Sequence, residues 1–148
     1  MSLTLFQFKP MFGLPNASPF CMKLETYLRL VGLAYNVVHL KGRPHSSTGK
    51  APYVEINGVL MAGSSLIITH LERTHGHPVD GKLTLAQRAE ALAMQRLMEE
   101  HLYWVAVYMR WADPDTRLHW RPYMQELLGV PSFLTLFVAR AAPLSVTS

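Results

Sequence analysis

The stretch NASPFCMKLETYLRL, from Asn16 to Leu30, predicts a helix and fixes where that helix begins. Ser18 suits the N-cap, because a serine hydroxyl accepts a hydrogen bond from a backbone N–H group of the first turn. Pro19 suits the first helical position, where its missing N–H group would have no helical partner in any case. Apolar residues then recur at helical spacing, and they are Phe20, Leu24, Tyr27, Leu28 and Val31. The positive end of this helix therefore carries the Ser18 hydroxyl and the Cys21 thiol, an arrangement that favours an anion such as a thiolate.

The segments before and after this helix have the composition of β-strands. Leu3–Phe8 and Tyr35–Leu40 are short runs rich in strand-forming residues. A strand, a helix and a second strand this close together predict a right-handed β-α-β unit with parallel strands. Residues 41–51 are rich in turn residues and in basic residues, so a loop is predicted there.

A hairpin and a second helix complete this half of the chain. The dipeptide Asn57-Gly58 separates Tyr53–Ile56 from Val59–Ala62 and is a strong signal for a two-residue hairpin turn. Gly63-Ser64-Ser65 then begins a helix predicted to run to about His75. Its predicted apolar face is Leu66, Ile67 and Leu71. The order β-α-β-β-β-α predicts an α/β, thioredoxin-like fold, in which helices pack on one layer of sheet.

The second half of the chain is predicted to be helical. Thr84 and Gln87 have the spacing of a capping box, in which each residue satisfies a backbone group of the other. One long helix is predicted from about Leu85 to Trp111. A further helical candidate lies at His119–Leu128, and Ser132–Ala142 is strongly apolar.

Length and composition bound the class of protein. With 148 residues, 49% of them apolar, the chain is long enough to form a packed core and too apolar to be disordered. The patterns along the chain predict a thioredoxin-like domain at residues 1–76, a linker at 77–83 and a partial all-helical domain at 84–148.

Several classes of protein are disfavoured. No apolar run has the length that spans a bilayer, and the first residues lack the features of a secretory signal. A single cysteine is compatible with a reducing compartment, so a cytoplasmic location is expected. The formal charge is +4, but basic and aromatic side chains are not clustered together, which argues against nucleic-acid binding. The seven histidines are scattered without metal-ligand spacing, and no metal site is predicted.

The four residues from Ser18 to Cys21 allow two interpretations of the helix start. A redox-active thioredoxin-like site has cysteine at both ends of such a tetrad, and the serine here prevents a dithiol within the protein. A serine hydroxyl can still hydrogen-bond a bound thiol and lower its pKa, which would make the thiol of a co-substrate the nucleophile. Alternatively, Ser18 only caps the helix and Cys21 packs on its inner side as a small apolar residue.

Three further features are candidates for binding a peptide-like anion. A cis bond between Ala51 and Pro52 would leave the Ala51 backbone free to pair with a peptide, and a plain strand-initiating proline is the alternative. Gly63 and Ser64, at the second helix start, could hold a carboxylate, or they could serve only as a cap. Lys50, in the basic loop, could meet a second carboxylate, and a solvated loop is the alternative.

Three stretches resemble the glutathione S-transferase superfamily, and within it the metaxin-like and failed-axon-connections-like branch. They are SPFCMKLETYLRLVGLAY (Ser18–Tyr35), GKAPYVEINGVLMAGSSLIITHLE (Gly49–Glu72) and RLMEEHLYWVAVYMRW (Arg96–Trp111). The resemblance implies a thioredoxin-like N-terminal domain followed by an all-α domain of the transferase C-terminal type. Because such proteins usually continue with further helices, and the likeness fades after about Val138, the helical domain of this chain is expected to be truncated.

The resemblance also implies roles for individual residues. Ser18 matches the position that activates the thiol of glutathione, and Ala51 and Pro52 match the backbone clamp with its cis-proline. Ser64 matches the residue that binds the γ-glutamyl carboxylate. Gly63 is a departure, because members of the superfamily usually carry at this position an acidic residue that pairs with the ammonium group of glutathione.

The resulting prediction is a glutathione S-transferase-like protein that activates bound glutathione for attack on a small electrophilic molecule. The alternative is a non-catalytic, metaxin-like interaction module that keeps the fold. Glutaredoxin-like disulfide exchange, with Cys21 as the redox thiol, is a third interpretation. An uncovered apolar face on the long helix makes association into a homodimer an expectation.

Overall fold

The computed structural model describes residues 2–11, 13–76, 79–116 and 118–120. The chain divides into two compact units between Lys82 and Leu83, and each is described by itself. The apolar stretch predicted at Ser132–Ala142 lies outside the described residues, and so does the helical candidate at His119–Leu128 beyond its first two residues.

The first unit contains a four-stranded sheet and two helices. Its elements, in chain order, are β1 (Leu3–Gln7), α1 (Pro19–Leu30), β2 (Asn36–His39), β3 (Tyr53–Ile56), β4 (Val59–Ala62) and α2 (Ser64–Thr74). The strands lie in the order β2-β1-β3-β4, with β1 parallel to β2 and antiparallel to β3. The predicted order β-α-β-β-β-α and the thioredoxin-like fold class are therefore confirmed.

The hairpin between β3 and β4 turns at the predicted dipeptide. Asn57 has φ 50° and Gly58 has φ 85°, both in the left-handed region that a tight two-residue hairpin requires. Ile56 pairs with Val59 directly across this turn. The turn chemistry therefore fixes the register of the two strands.

One apolar core holds the sheet and both helices together. It consists of Leu3, Leu5, Leu24, Tyr27, Leu28, Val54, Ile67 and Leu71. The Tyr27 hydroxyl donates a hydrogen bond of 2.7 Å to the Glu72 carboxylate, which joins α1 to α2 inside the protein. The prediction that Leu66 belongs to the buried face of α2 is wrong, because its side chain is 69% exposed.

The second unit contains a continuous helical run with a change of geometry in its middle. It comprises α3 (Leu85–Leu97), a π-helical turn (Met98–Leu102) and α4 (Tyr103–Trp111). The predicted capping box is present at the start of α3, where Thr84 and Gln87 satisfy each other's backbone N–H groups. The helical run agrees with the prediction, and the π-helical turn was not anticipated.

Candidate functional site

The start of α1 places the Ser18 hydroxyl at the positive end of the helix. Ser18 has the extended backbone of an N-cap residue, and its Oγ accepts a hydrogen bond of 3.4 Å from the Cys21 N–H group. Its side chain is half-buried. The structure therefore places Ser18 as a helix cap that is still partly open to a ligand.

Asn16 holds this cap against the end of β1. The residue is fully buried, and its Oδ1 accepts a hydrogen bond of 3.0 Å from the Ser18 N–H group. Its Nδ2 donates to the carbonyl oxygen of Phe8 at 2.5 Å. This role of Asn16 was not predicted from the sequence, although an asparagine two residues before a cap is a recognisable turn signal.

Cys21 is placed differently from Ser18, although it lies only one helical turn away. Its side chain is fully buried. Burial raises the pKa of the thiol, while hydrogen bonding from the Ser18 side chain and the Phe8 backbone opposes the rise only in part. The location fits a packed apolar residue better than a redox thiol, because thiolates form at low-pKa, accessible positions.

The structure brings the predicted clamp to the start of α2. The peptide bond between Ala51 and Pro52 is cis. The Gly63 N–H group donates a hydrogen bond of 3.4 Å to the Pro52 carbonyl oxygen. Pro52, directly before β3, and Gly63, directly before α2, are therefore neighbours, as one binding site for a small peptide would require.

The start of α2 has no side-chain cap. Gly63 precedes the helix with φ 93°, and no side chain bonds to the first-turn N–H groups from the N-cap position. Ser64 is 5% exposed, and among the described residues its hydroxyl makes no hydrogen bond. This helix start therefore keeps donors available for an acceptor that comes from outside the chain.

Lys50 directly precedes Ala51 in the chain and lies in an exposed turn. Its backbone N–H group and carbonyl oxygen both bond to the Ser46 hydroxyl, at 3.0 and 2.7 Å. The Lys50 side chain is exposed. Of the predicted site residues, the structure thus joins Pro52 to Gly63, puts Ser64 next to them, and gives Lys50 a surface position.

A lysine that sequence analysis did not single out connects the two helices. The Lys23 Nζ atom, on α1, donates a hydrogen bond of 2.9 Å to the Ser65 Oγ atom at the start of α2. In the sequence, Lys23 looks like an ordinary lysine on the solvent-exposed face of a helix. The sequence therefore carried no signal for this contact.

Glu25 forms a buried polar cluster on the other side of α1. Its carboxylate accepts hydrogen bonds from Gln7 at 2.7 Å, Arg29 at 2.7 Å and Tyr35 at 3.2 Å. Burial alone would raise the pKa of Glu25, but these donors and the Arg29 charge outweigh burial and hold the pKa below its usual range. The cluster fastens α1 to β1 and to the residues before β2.

The part of the chain that the structure describes contains neither a metal-binding cluster nor a membrane-spanning helix. Within it, no three histidine, cysteine, aspartate or glutamate side chains lie close enough together to hold a metal ion. No helix in the same part is long and apolar enough to cross a membrane.

Comparison with known proteins connects this geometry to one family. The profile of the glutathione S-transferase N-terminal domain matches residues 19–116. Failed axon connections of Drosophila melanogaster is 39% identical over 127 residues, which are 85% of this chain and 30% of that protein. The isoprene-epoxide glutathione S-transferase of a Rhodococcus strain is 36% identical over 119 residues, which are 75% of this chain and 49% of that protein.

More distant similarities agree with these matches. Human metaxin-1 is 30% identical over 112 residues, which are 75% of this chain and 24% of that protein. Among solved structures, the trimeric glutathione transferase TDR1 of Leishmania superposes with a TM-score of 0.60 at 18% identity, over 87% of this chain and 30% of that chain. The chain thus spans less than half the length of these curated relatives, and the superposition supports the fold.

Proposed function

The chain belongs to the family of glutathione S-transferase N-terminal domains, and on that premise we propose that it binds glutathione and activates its thiol. The thiol gives up its proton, and the thiolate attacks an electrophilic carbon to form a thioether bond. With an aryl chloride the C–Cl bond breaks and chloride leaves, and with an epoxide a C–O bond opens and its oxygen takes up a proton. The residues proposed to carry this are Ser18 for the sulfur, Ala51 and Pro52 for the peptide backbone, and Gly63 and Ser64 for the γ-glutamyl end. Lys50 is proposed to meet the second carboxylate.

The observation that carries the proposal is the contrast between Ser18 and Cys21. Ser18 is half-buried at the positive end of α1, whereas Cys21 is fully buried with a raised pKa. A thiol that approaches this helix start would meet a hydroxyl and a helix dipole, and both stabilise its anion. This arrangement supports activation of an external thiol over disulfide exchange through Cys21.

The start of α2 supports the same ligand. No N-cap side chain bonds to the first-turn N–H groups, so this helix start suits a carboxylate, and the Ser64 hydroxyl makes no hydrogen bond among the described residues. The hydrogen bond between Gly63 and Pro52 keeps this carboxylate position beside the proposed backbone clamp. A peptide with a thiol in its middle and a carboxylate at its end has matching chemistry.

Calorimetric titration with glutathione tests the proposal. We expect saturable heat with the wild-type chain, and binding at least about tenfold weaker in Ser64→Ala, because a charge-assisted hydrogen bond is lost. Undetectable heat at millimolar glutathione would reject the proposal. Ser2→Ala is the matched control, since it removes an exposed hydroxyl that precedes β1 and belongs to none of the proposed binding residues.

The role of Ser18 needs a variant that keeps the helix cap. Ser18→Asp retains a cap acceptor but places a carboxylate against the sulfur. We expect the ultraviolet absorbance of bound thiolate, followed against pH, to show a lowered thiol pKa in the wild-type chain and none in Ser18→Asp. An equal thiol pKa in both would exclude Ser18 from thiol activation.

The electrophile is proposed only as a class. One relative is named for isoprene epoxide, so a small epoxide and an activated aryl chloride are the first probes. Product formation that requires glutathione, and that falls at least about tenfold in Ser18→Asp, is the expected outcome.

A non-catalytic interaction module is the second candidate function. The relative with 39% identity is named Failed axon connections and another relative is metaxin-1, and neither name refers to a transferase. Glycine at position 63 also removes the acidic group that would pair with the glutathione ammonium. Absence of glutathione binding, together with recovery of the chain in a stable complex, would favour this candidate.

We also propose a cytoplasmic location and association into a homodimer. The single cysteine is free and buried, which suits a reducing compartment. Exposed apolar side chains on α3 and α4, among them Leu92, Met94 and Trp104, favour association. Cell fractionation and light scattering test the two proposals.

A further inference from the structure

The start of α2 suits only one of the two charged groups that the γ-glutamyl end of glutathione would bring to it. The γ-glutamyl end of glutathione carries a carboxylate and an ammonium group on the same carbon. The positive end of α2, which no N-cap side chain caps, and the Ser64 hydroxyl suit the carboxylate. The ammonium group would need an acceptor or an anion close by.

Neither helix provides that anion near its start. The first turns of α1 and α2 contain no acidic residue, and Gly63 has no side chain. The acidic residues of these helices, Glu25 and Glu72, lie beyond the first turn. Glu25 accepts from Gln7, Arg29 and Tyr35, and Glu72 accepts from Tyr27.

Lys23 instead brings a positive charge close to the start of α2. Its Nζ atom lies 2.9 Å from the Ser65 Oγ atom in a partly buried contact, one residue after Ser64. Two observations therefore coincide at this helix start, a buried serine without a hydrogen bond among the described residues and a lysine ammonium fixed beside it. Both favour a carboxylate, and the lysine disfavours a ligand ammonium through like-charge repulsion.

We propose that Lys23 is a specificity-determining residue, and that the site prefers a thiol peptide whose end carries a carboxylate without a neighbouring ammonium group. The ligand class is an acyl-cysteinylglycine with a terminal carboxylate, such as glutathione without its α-amino group. This inference rests on the proposed function, because it concerns the γ-glutamyl end of the same site.

The test compares glutathione with glutaryl-cysteinylglycine, which differs only in lacking the α-amino group. We expect the wild-type chain to bind the glutaryl peptide about three- to tenfold more tightly, the scale of one partly exposed charge interaction. Lys23→Met keeps the aliphatic stem and should bring the two dissociation constants to near equality. Lys23→Glu should reverse the preference.

Two controls separate the effect of the Lys23 charge on ligand preference from the effect of the net charge of the chain. Lys82→Met removes the same charge from an exposed position and should leave the wild-type preference unchanged. Adding salt to the wild-type chain should reduce the preference, which tests the inference even where a Lys23 variant fails to fold. A substitution at Gly63 is avoided, because its φ of 93° would strain any other residue.

The outcomes distinguish the two proposals. Tighter binding of glutathione by the wild-type chain, or a preference that Lys23→Met leaves unchanged, overturns the role of Lys23 while the proposed function stands. Binding of neither peptide overturns the proposed function and, with it, this inference.

Discussion

The two helices of the first unit begin in opposite ways. At α1, Ser18 caps the helix with its own side chain, Pro19 occupies a position that needs no donor, and Asn16 fixes the cap. At α2, Gly63 provides no side chain, and the Ser64 hydroxyl makes no hydrogen bond among the described residues. A helix start that the protein satisfies stabilises the fold, whereas a helix start left open has donors available for a ligand.

The polar cluster on α1 should give the largest effect on stability. Glu25→Gln replaces a carboxylate that accepts from Gln7, Arg29 and Tyr35 with an amide whose NH₂ group must face a donor. Because hydrogen bonds to buried charged groups are strong, we expect a loss of about 2 kcal/mol in the free energy of unfolding at pH 7. Urea denaturation measures it.

Acidification should remove the difference in stability between the wild-type chain and Glu25→Gln. The pKa of Glu25 is held below its ordinary value of 4.5 in the folded chain. Its stabilising contribution is therefore present above pH 4.5 and is lost as the pH falls through the folded pKa. The gap between wild-type and Glu25→Gln should narrow in that range, and a gap that stayed constant would contradict the assignment.

A substitution at Gly63, before α2, should give the next largest effect on stability. Gly63→Ala puts a side chain on a residue with φ 93°, and we expect a loss of about 1.5 kcal/mol from strain. A clash is not the cause, because an added Cβ would approach the Leu66 side chain only to 3.7 Å. Unchanged stability in thermal or urea unfolding would mean that this backbone relaxes readily.

Removing the cap of α1 should give the third largest effect on stability. Ser18→Ala should lower the free energy of unfolding by about 1 kcal/mol, because the Cys21 N–H group loses its acceptor. Ser18→Asp should stay within about 0.5 kcal/mol of wild-type, because the carboxylate keeps the cap. Urea titrations of the two variants side by side would separate capping from the proposed thiol chemistry. An equal loss in the free energy of unfolding in both variants would mean that the cap does not stabilise the fold.

The open helix start should give the smallest effect on stability. Ser64→Ala removes a hydroxyl that makes no hydrogen bond among the described residues, so the free energy of unfolding should stay within about 0.5 kcal/mol of wild-type. The same variant is expected to weaken glutathione binding, as proposed above. A large loss of stability would mean that Ser64 is a structural residue, and the contrast between the helix starts would fail.

Local signals in the sequence were enough to predict much of the first unit. Asn57-Gly58 fixed the hairpin, and Ser18-Pro19 fixed the start of α1, because turn and cap chemistry depend on neighbouring residues alone. The bounds of β3 and β4 agree with the prediction to the residue.

Contacts between distant residues could not be predicted in this way. The sequence does not indicate that Glu25 is buried. The fold alone brings its partners Gln7 and Tyr35 next to its carboxylate. The contact between Lys23 and Ser65 joins residues 42 positions apart. Leu66 was assigned to the core by its hydrophobicity, yet the rotation of α2 on the sheet leaves it exposed.

The π-helical turn at Met98–Leu102 bears on how the second unit tolerates changes in chain length. Such a turn holds about one residue more than an α-helical turn, so residues after it are rotated by roughly 100° relative to an uninterrupted helix. Deleting one residue there would allow the run from Leu85 to Trp111 to close into regular α-helix with every backbone bond intact. The turn therefore marks a place where a natural insertion of a single residue can be accommodated, and where its deletion would change which side chains share a stripe with those of α3.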